Sequence, residues 1–314
     1  MSEGIILRRN TYTRYPWVSV HDTTDSLTVE LNFGSSTGDR TIDWGDGTVE
    51  VVNTALPSHT YASIGEYVVR CYGGITARLG EQAFGTNDGW TKTLKAVRSW
   101  GNLGWTDFGF AFRDVESNVD VPNYVPPSVT NMGSMFRDSD FNQDIGSWDV
   151  SSVTNMSNMF NGTGKQNGTP FNQDISGWDV SSVTNMSFMF RNTPFNQDIS
   201  SWDVSSVTNM RAMFSSSSFN QDISGWDVSS VTNMRAMFNG SNMSTENYSR
   251  TLVGWANYTS TNSDQPSNVN LGASGLTYND TDYAIGETYE DAVEARAYLT
   301  GSPPSWSISD GGQV

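Results

Sequence analysis

Between Trp100 and Phe238 one short sequence recurs with little change. Residues 171–186 read Phe-Asn-Gln-Asp-Ile-Ser-Gly-Trp-Asp-Val-Ser-Ser-Val-Thr-Asn-Met, and near-identical copies open at Phe195 and Phe219. Four tryptophans mark the period and are 30, 24 and 24 residues apart: Trp148, Trp178, Trp202 and Trp226. A fixed short period predicts a solenoid, in which each coil stacks on the next. Such a chain offers long repetitive surfaces rather than a single chemical pocket.

The period also extends backwards along the chain. Residues 130–138 align with residues 106–114 at an offset of 24, which places Tyr124 and Trp100 at the tryptophan position. The sequence therefore predicts six coils, of which the first two are degenerate. A six-residue excess at 162–168 is expected to form a loop on one edge of the stack, because insertions in repeats map to loops.

Each coil carries a recurring set of apolar residues that cannot form a core alone. Trp202 and Val204 alternate around Asp203, as in a short strand, and three-residue steps from Val207 to Met213 are typical of a tight, 3₁₀-like arc. Stacking would join these groups into one continuous core.

The segment before the repeats has a different pattern. Apolar and polar residues alternate between about Val18 and Ile75, as in Leu27, Val29 and Leu31. Several short strands separated by glycine-rich turns predict a β-sandwich.

Two motifs refine this prediction. Residues 42–48 read Ile-Asp-Trp-Gly-Asp-Gly-Thr, and His59-Thr-Tyr follows. These motifs, in this order, resemble the PKD family of immunoglobulin-like domains, which implies a spacer or adhesion module on a surface protein. Trp44 is expected in the core and Asp46 in a tight turn. The alternative is a Ca²⁺ site at Asp43 and Asp46, although Ca²⁺ takes about six oxygen ligands and the motif offers two carboxylates.

The repeat itself also resembles a known family. Phe-Asn-Gln-Asp-Ile, Trp-Asp-Val-Ser and Val-Thr-Asn-Met are similar to the BspA-type leucine-rich repeat of bacterial and viral surface proteins, in its Mycoplasma-lipoprotein-like subtype. The resemblance implies an adhesin but fixes no ligand. After Phe238 the pattern stops, and helical spacing at Tyr248 and Leu252, a second short helix at 290–299 and a last strand after Trp306 predict a C-terminal cap.

The expected fold is therefore mainly β. An Ig-like (PKD) β-sandwich precedes a capped BspA-type leucine-rich-repeat solenoid. The expected units are an N-terminal docking segment at 1–17, the β-sandwich at 18–80, the solenoid at 81–240 and the cap at 241–314. The docking segment would use its three arginines, which are Arg8, Arg9 and Arg14.

Stacked coils place equivalent side chains in ladders, which define two candidate faces. The candidate ligand-binding face comprises Asp149, Asp179, Asp203, Asp227, Asn172, Asn196 and Asn220. The candidate metal face comprises Asp144, Asp174, Asp198 and Asp222. Carboxylates about 5 Å apart repel by roughly 1 kcal/mol in water, so something must offset the repulsion. Hydrogen bonds to turn amides, a cation such as Ca²⁺ between coils, and recognition of sugar hydroxyls are the three alternatives.

The arginines of the repeats fall at two places. Arg113, Arg137 and Arg191 follow Ala-Phe or Met-Phe pairs, whereas Arg211 and Arg235 lie inside Met-Arg-Ala-Met-Phe. We expect them to act as counter-ions for neighbouring coils rather than as a binding patch.

Charge and composition exclude several classes of partner. The formal net charge is -17, and residues 99–314 hold 23 of the 34 acidic residues but 8 of the 17 basic ones. Nucleic-acid binding needs a basic surface, so no nucleic-acid partner is expected. No apolar run approaches the ~20 residues of a membrane span. Cys71 is the sole cysteine, so no intrachain disulfide is expected, and the first residues lack the pattern of a secretory signal.

The sequence favours a non-enzymatic surface protein, because it contains none of the usual nucleophile, zinc or phosphate-loop motifs. The expected function is recognition or adhesion as a phage virion component, such as a fibre, receptor-binding or capsid decoration protein. The N-terminal part would attach to a virion or cell-surface protein, and the solenoid would bind glycan or a host surface. The alternatives are a purely structural virion spacer and a secreted bacterial adhesin. The expected location is the virion surface or the extracellular space, no cofactor other than Ca²⁺ is considered, and a homo-oligomer is left open.

Overall fold

The computed structural model describes residues 16–31, 33, 36–73, 75–76, 79, 92–261, 266–283, 287–301 and 304–314. Over these ranges the chain is mainly β, as the sequence predicts. An antiparallel sheet comes first, a series of stacked coils follows, and a segment with helices and two short strands ends the chain.

Short strands form the N-terminal sheet region. In the described residues they are β1 (Trp17–Asp22), β2 (Thr28–Glu30), β3 (Ser36–Thr37), β4 (Arg40–Asp43), β5 (Val49–Val52), β6 (Ser58–Thr60), β7 (Glu66–Tyr72), β8 (Ile75–Thr76) and β9 (Leu94–Trp100). Five of them make an antiparallel sheet in the order β5-β4-β7-β1-β9, and β2 pairs with β6 and β3 with β8. Strand β4 alternates buried and half-buried residues, as a sheet with one covered face requires.

The Trp-Gly-Asp-Gly segment forms a turn anchored in the core. Trp44 is fully buried, and the Tyr61 hydroxyl donates to its carbonyl at 2.7 Å. Asp43 and Asp46 each accept the backbone N–H two residues on, at 3.0 and 2.9 Å, and His59 Nε2 lies 2.8 Å from Asp46 Oδ2. The core role of Trp44 and the turn role of Asp46 are confirmed. In the part of the chain that the structure describes, no three His, Cys, Asp or Glu side chains gather around a metal position there or elsewhere.

From residue 106 onward the chain winds into coils that hydrogen-bond to one another. Parallel bridges connect equivalent residues in series, which are Asp107, Asn131, Asn155, Asn185, Asn209 and Asn233. In each coil the preceding threonine donates its hydroxyl to the threonine carbonyl of the coil before, as Thr208 does to Thr184 at 3.1 Å. The backbone groups that a short coil cannot satisfy internally are therefore satisfied between coils.

The expected strand at Trp202 and Val204 is wrong. The Trp202 N–H donates to Ile199 O at 3.1 Å and the Val207 N–H to Val204 O at 2.9 Å, so the backbone runs through two successive tight turns. Asp203 stabilises the second turn, because its carboxylate accepts from the serine two residues on. Alternating burial, which a strand shares with such turns, misled the prediction.

Aromatic side chains fill the core of the array. One phenylalanine per coil stacks on its equivalent with ring centroids 5.4–5.9 Å apart and interplanar angles of at most 12°. This phenylalanine stack comprises Phe112, Phe136, Phe160, Phe190, Phe214 and Phe238. The indole N–H of Trp202 donates to Ile175 O, in the coil before, at 3.2 Å, and Trp226 does the same to Ile199 O at 3.1 Å. A buried tryptophan thus satisfies its polar atom while packing its ring.

Strand β9 belongs to the sheet and to the start of the array. It pairs with β1, and Ala96 also bridges to Asp120, whose carbonyl accepts from the Val97 N–H at 2.7 Å. The Trp100 indole donates to Tyr124 O at 2.7 Å, one repeat later. Strand β9 therefore connects the sheet to the coils. The domain boundary expected at residue 80 stays a prediction.

The C-terminal segment covers the last coil. It contains α1 (Thr245–Thr261), β10 (Asn270–Gly272), α2 (Ala292–Thr300) and β11 (Ser307–Ser309), with β10 and β11 parallel. Leu271 bridges to Met234, and Trp255 stacks on Phe238 with ring centroids 6.3 Å apart. The predicted helices and last strand are confirmed, and Asp291 caps α2 by accepting two of its free N–H groups.

Candidate functional site

The predicted ligand-binding aspartates lie at a turn that each coil repeats. Asp149, Asp179 and Asp203 each accept the backbone N–H of the serine two residues on at 3.0–3.1 Å and its hydroxyl at 2.6 Å. These serine hydroxyls lower the pKa of Asp149 and Asp179. Asp227 accepts the same backbone bond at 2.9 Å. One oxygen of each carboxylate is therefore engaged within its own coil.

The predicted metal face shows the same arrangement. Asp144, Asp174, Asp198 and Asp222 each accept the backbone N–H two residues on at 2.9 Å. This bond lowers the pKa of Asp174 and Asp198. Over the described residues no set of three acidic, histidine or cysteine side chains could hold a cation. Turn hydrogen bonds thus account for the ladder, and Ca²⁺ binding stays a prediction.

The predicted asparagine face holds the coils together. The Asn196 N–H donates to Asn172 Oδ1 at 2.9 Å, and Asn196 Oδ1 accepts from the Asn220 N–H at 2.7 Å and from Gln221 Nε2 at 3.1 Å. Asn220 Oδ1 then accepts from the Ser244 N–H at 2.7 Å, which carries the ladder into the C-terminal segment. The Oδ1 atoms of these residues are consumed by inter-coil contacts.

The predicted docking arginines cannot be placed. Arg8, Arg9 and Arg14 lie outside the described residues, which begin at residue 16. The role of the N-terminal segment stays a prediction.

The structure reveals a different site where the last coils meet the C-terminal segment. A cleft of about 410 Å³ opens there, lined by three arginines, an aromatic ring, small residues and polar groups of β10 and β11. Its main lining residues are Phe188, Arg191, Arg211, Ala212, Arg235, Ala236, Asn270 and Ser309. We call it the arginine cleft. Ala212 and Ala236 occupy, in the next two coils, the position that Phe188 fills in its own coil. The small alanine side chains leave the space in which the cleft opens beside the Phe188 ring.

Two of the three guanidinium groups of the cleft lie against an aromatic face. The Cζ atoms of Arg191 and Arg211 lie 5.7 and 5.2 Å from the centroid of the Phe188 ring, within the range of cation–π contacts. Nε of Arg191 is buried and has no hydrogen-bond partner within the described chain. Among the same residues no carboxylate lies at ion-pair distance from Arg191, Arg211 or Arg235.

The first coils treat their arginines differently. Arg113 Nε lies 3.1 Å from Asp114 Oδ2, and Arg137 Nε lies 3.1 Å from Asp138 Oδ2. The Gly164 N–H of the inserted loop donates to the other oxygen of Asp138 at 2.6 Å, so the insertion folds over this pair. The expectation that the repeat arginines are counter-ions for neighbouring coils is therefore wrong, because these two arginines each pair with the next residue of their own coil.

One repeat position explains the contrast for Arg191, which directly follows its phenylalanine as Arg113 and Arg137 do, whereas the other two arginines of the cleft lie at a different position of the coil. The second residue after each ring of the phenylalanine stack, here called the turn position, is Asp114, Asp138, Gly162, Asn192, Ser216 or Gly240. Five of the six have φ between 55° and 66°, a left-handed conformation that Asp, Asn and Gly adopt readily. The carboxylate is present in the first two coils and absent from the other four. This change is readable from the sequence alignment, but the expectation of counter-ions hid it.

A second cleft of about 420 Å³ adjoins the inserted loop. Its lining includes Thr169, Asn192, Ser216 and Ser218. Its one charged lining residue among those described is Asp140, which is paired with Lys165. This cleft therefore offers hydroxyl and amide groups without net charge.

Groups suited to chemistry lie away from both clefts. His21 is fully buried between Ser19 and Thr93, and burial lowers its pKa to about 3. Burial raises the pKa of the Cys71 thiol to about 12, so the nucleophilic thiolate is scarce at neutral pH. His59 belongs to the turn around Asp46.

Within the described residues, no helix combines the length and apolar character that crossing a membrane requires.

Comparison with known proteins gives one family. A family model described as "Mycoplasma protein of unknown function, DUF285" matches residues 106–194 and 165–265. The two overlapping matches span about half of the chain and contain the three arginines of the cleft. No curated protein matches the chain. No solved structure matches it.

Proposed function

The chain belongs to the DUF285 family of Mycoplasma repeat proteins, and we propose that it is a non-enzymatic surface recognition protein. This repeat family is related to BspA-like surface repeat proteins. The family description names no function, so support must come from the residues themselves. The proposed binding surface is on the array, and the sheet region serves as its base.

One observation carries the proposal: the arginine cleft gathers three cations without acidic partners in a chain of net charge -17. Elsewhere in the array, the aspartates are engaged with turn amides and the asparagines with neighbouring coils. Beyond the contacts that two of them make with Phe188, arginines without acidic partners beside a cleft add little to the stability of a repeat that satisfies its own polar groups. A surface that binds another molecule can use such arginines to contact its ligand.

The absence of catalysis is part of the proposal. His21, whose pKa is lowered, and Cys71, whose pKa is raised, are both buried in the sheet region. General bases and nucleophiles need to reach a substrate, and these groups do not line either cleft.

The fold supports this use as a presenting scaffold. We propose that the stacked coils are a leucine-rich-repeat solenoid of the BspA type and that residues 18–80 are a PKD-like sandwich. The bridge series through Asn131 and Asn209 and the Tyr61–Trp44 contact support these assignments. Such a scaffold holds a cleft at one end of the array and leaves the other end for attachment through β9 and the sheet.

The proposed setting is a virion surface, with a phage fibre, receptor-binding or capsid decoration protein as the preferred form. A secreted bacterial adhesin would use the same cleft. The purely structural alternative, an acidic spacer, is favoured by the internal hydrogen bonding of the aspartate and asparagine ladders. It does not account for the arginine cleft.

The test is binding of the labelled full-length chain to bacterial cells and to a panel of purified bacterial polysaccharides. Saturable binding to at least one surface is expected. The matched control is Asp203→Asn, which alters the aspartate face and should bind as the unaltered chain does. Absence of saturable binding to every surface would support the spacer instead.

A further inference from the structure

We infer that the arginine cleft binds an acidic sugar, that is, a uronic acid unit within a polysaccharide. This inference rests on the proposed recognition function, because it names what that surface recognises. It follows from the charge, the geometry and the neutral polar groups of the cleft.

The charge of the cleft points to an anion. No described carboxylate pairs with Arg191 or with the other two arginines of the cleft, and Phe188 holds the guanidinium groups of Arg191 and Arg211 in place. A guanidinium is planar and presents paired N–H donors that match a carboxylate. An arginine that is already oriented loses less entropy when the anion arrives.

The array contains its own control for this argument. At the turn position Asp114 and Asp138 neutralise the arginines that precede them, whereas Asn192 leaves Arg191 without a carboxylate. The fold tolerates aspartate at this position, since two coils carry it in the same left-handed conformation. A carboxylate from a ligand in the cleft would therefore give Arg191 the anionic partner that Asp138 gives Arg137.

The surroundings of the arginines favour a sugar over a peptide or a nucleic acid. Asn270 and Ser309 line the same cleft and can exchange hydrogen bonds with hydroxyl groups. The acid that follows Ser309 is already engaged, because Arg296 binds Asp310 at 2.9 Å. The three arginines form a local patch, and a chain of net charge -17 lacks the extended basic surface that a nucleic-acid backbone needs.

The repeat also sets a suitable spacing. Arg211 and Arg235 occupy equivalent positions in adjacent coils, 24 residues apart, and hydrogen-bonded neighbouring backbones lie about 5 Å apart. This distance is comparable to the rise of one sugar unit in an extended polysaccharide. An acidic polymer lying along the stacking direction could therefore meet successive arginines.

The experiment measures the affinity of the full-length chain for oligosaccharides from alginate, polygalacturonate and hyaluronan by calorimetry. Carboxyl-reduced forms of the same oligosaccharides and a hexaglutamate peptide serve as comparisons. At least one uronate oligosaccharide is expected to bind, and its carboxyl-reduced form at least tenfold more weakly. Both Arg211→Ala and Arg235→Ala should weaken that binding about tenfold or more, because charged hydrogen bonds are lost. Arg113→Ala, which removes a paired arginine of the first coils, should leave it unchanged.

Three results would overturn the inference. They are failure of all three uronate oligosaccharides, equal binding of the carboxyl-reduced forms, and tighter binding of hexaglutamate. Equal losses in Arg113→Ala and Arg211→Ala would overturn the assignment to this cleft. Thermal melting of each variant shows whether it is folded. If the chain binds cells saturably and Arg211→Ala with Arg235→Ala leaves that binding intact, the acidic-sugar inference fails while the recognition function stands.

Discussion

The first and last coils of the array have the same backbone conformation but differ in whether their arginines are paired with carboxylates. In the first coils Arg113 and Arg137 each face an aspartate 3.1 Å away, and the inserted loop covers Asp138. In the last coils Asn192 follows Arg191 in place of the aspartate, and no described carboxylate pairs with any arginine of the cleft. We infer that the repeat specifies the scaffold and that departures from the repeat mark the proposed binding site.

The same comparison separates structural ladders from the site. The Asn172–Asn196–Asn220 ladder recurs because each coil must bond to the next. A residue needed for stacking in every coil cannot also be specific to one ligand. The arginine cleft uses positions at which coils differ, such as Phe188 against Ala212 and Ala236.

Acid should loosen the sheet end of the molecule before the cleft end. The pKa of His21 is lowered to about 3 by burial, against about 6.5 in an unfolded chain. Below pH 6.5 the unfolded chain binds a proton that the folded chain excludes, so stability is full above pH 6.5 and falls as the pH drops toward 3. At pH 4.5 the loss is about 3 kcal/mol. Hydrogen exchange, corrected for its intrinsic pH dependence, should become faster in β1 and β9.

The last coils should respond only at lower pH. Backbone hydrogen bonds lower the pKa of Asp174 and Asp198, so their contribution is present above the ordinary aspartate pKa and is lost as pH falls through the lowered value. Equal loss of protection in β9 and in the last coils at pH 4.5 would contradict the difference between the two ends.

Removing the charge of Asp138 should destabilise the first coils. The Asp138 side chain is 6% exposed and accepts from Arg137 and from the Gly164 N–H. Asp138→Asn keeps the left-handed conformation but loses the ion pair, at a cost of about 2 kcal/mol in the free energy of unfolding. Urea denaturation measures this change.

Asp114→Asn is the matched control for that substitution. Burial raises the pKa of Asp114, yet its side chain is 54% exposed, so water stabilises the charge and the pair with Arg113 is worth little. A change below about 0.5 kcal/mol is expected. Equal losses of unfolding free energy in Asp114→Asn and Asp138→Asn would contradict the larger role given to the buried Asp138 and its bond to the inserted loop.

Restoring the aspartate in the last coils should weaken acidic-sugar binding. Asn192→Asp places a carboxylate beside Arg191 as Asp138 stands beside Arg137, and it would compete with the ligand. A tenfold loss of affinity, about 1.4 kcal/mol, is expected. Asn192→Ser is the neutral control, because it loses the same bond from Asn192 Nδ2 to Gly162 O without adding charge. Equal affinities of the two variants would contradict the competition.

Breaking the asparagine ladder should affect stability but not binding. Asn196→Ala removes the acceptor of the Asn220 N–H and of Gln221, and a cost of about 1 kcal/mol is expected because water can replace part of the bonding. Denaturant midpoints and calorimetry measure the two quantities on one sample. A loss of affinity larger than the loss of stability would return the asparagine face to the binding surface.

Much of the fold could be predicted because each repeat places the same apolar residues at the same spacing. Equal spacing of Trp202 and Trp226 and of the phenylalanines predicts stacked coils with a shared aromatic core, and helical spacing at Tyr248 predicts α1. The strand expected at Trp202 is wrong, because alternating burial does not distinguish a strand from successive turns stabilised by Asp203.

The candidate site was harder to predict, for a physical reason. A ladder such as Asp149 and Asp179 stands out in the sequence, yet its serine partners sit two residues away and satisfy it locally. The cleft brings together Arg191, whose next residue is Asn192 rather than an acid, and Ser309, which lies more than 100 residues further along the chain. Only the folded chain brings β11 beside the last coils.

The most direct measurement is the location of the bound sugar. Titration of a uronate oligosaccharide into the ¹⁵N-labelled full-length chain, followed by the side-chain Nε–Hε resonances of the arginines, reports which guanidinium groups meet the carboxylate. We predict saturable shifts for Arg191, Arg211 and Arg235 and none for Arg113 and Arg137. Shifts confined to Arg113 and Arg137, or to the backbone amides beside Asp149 and Asp203, would contradict the account.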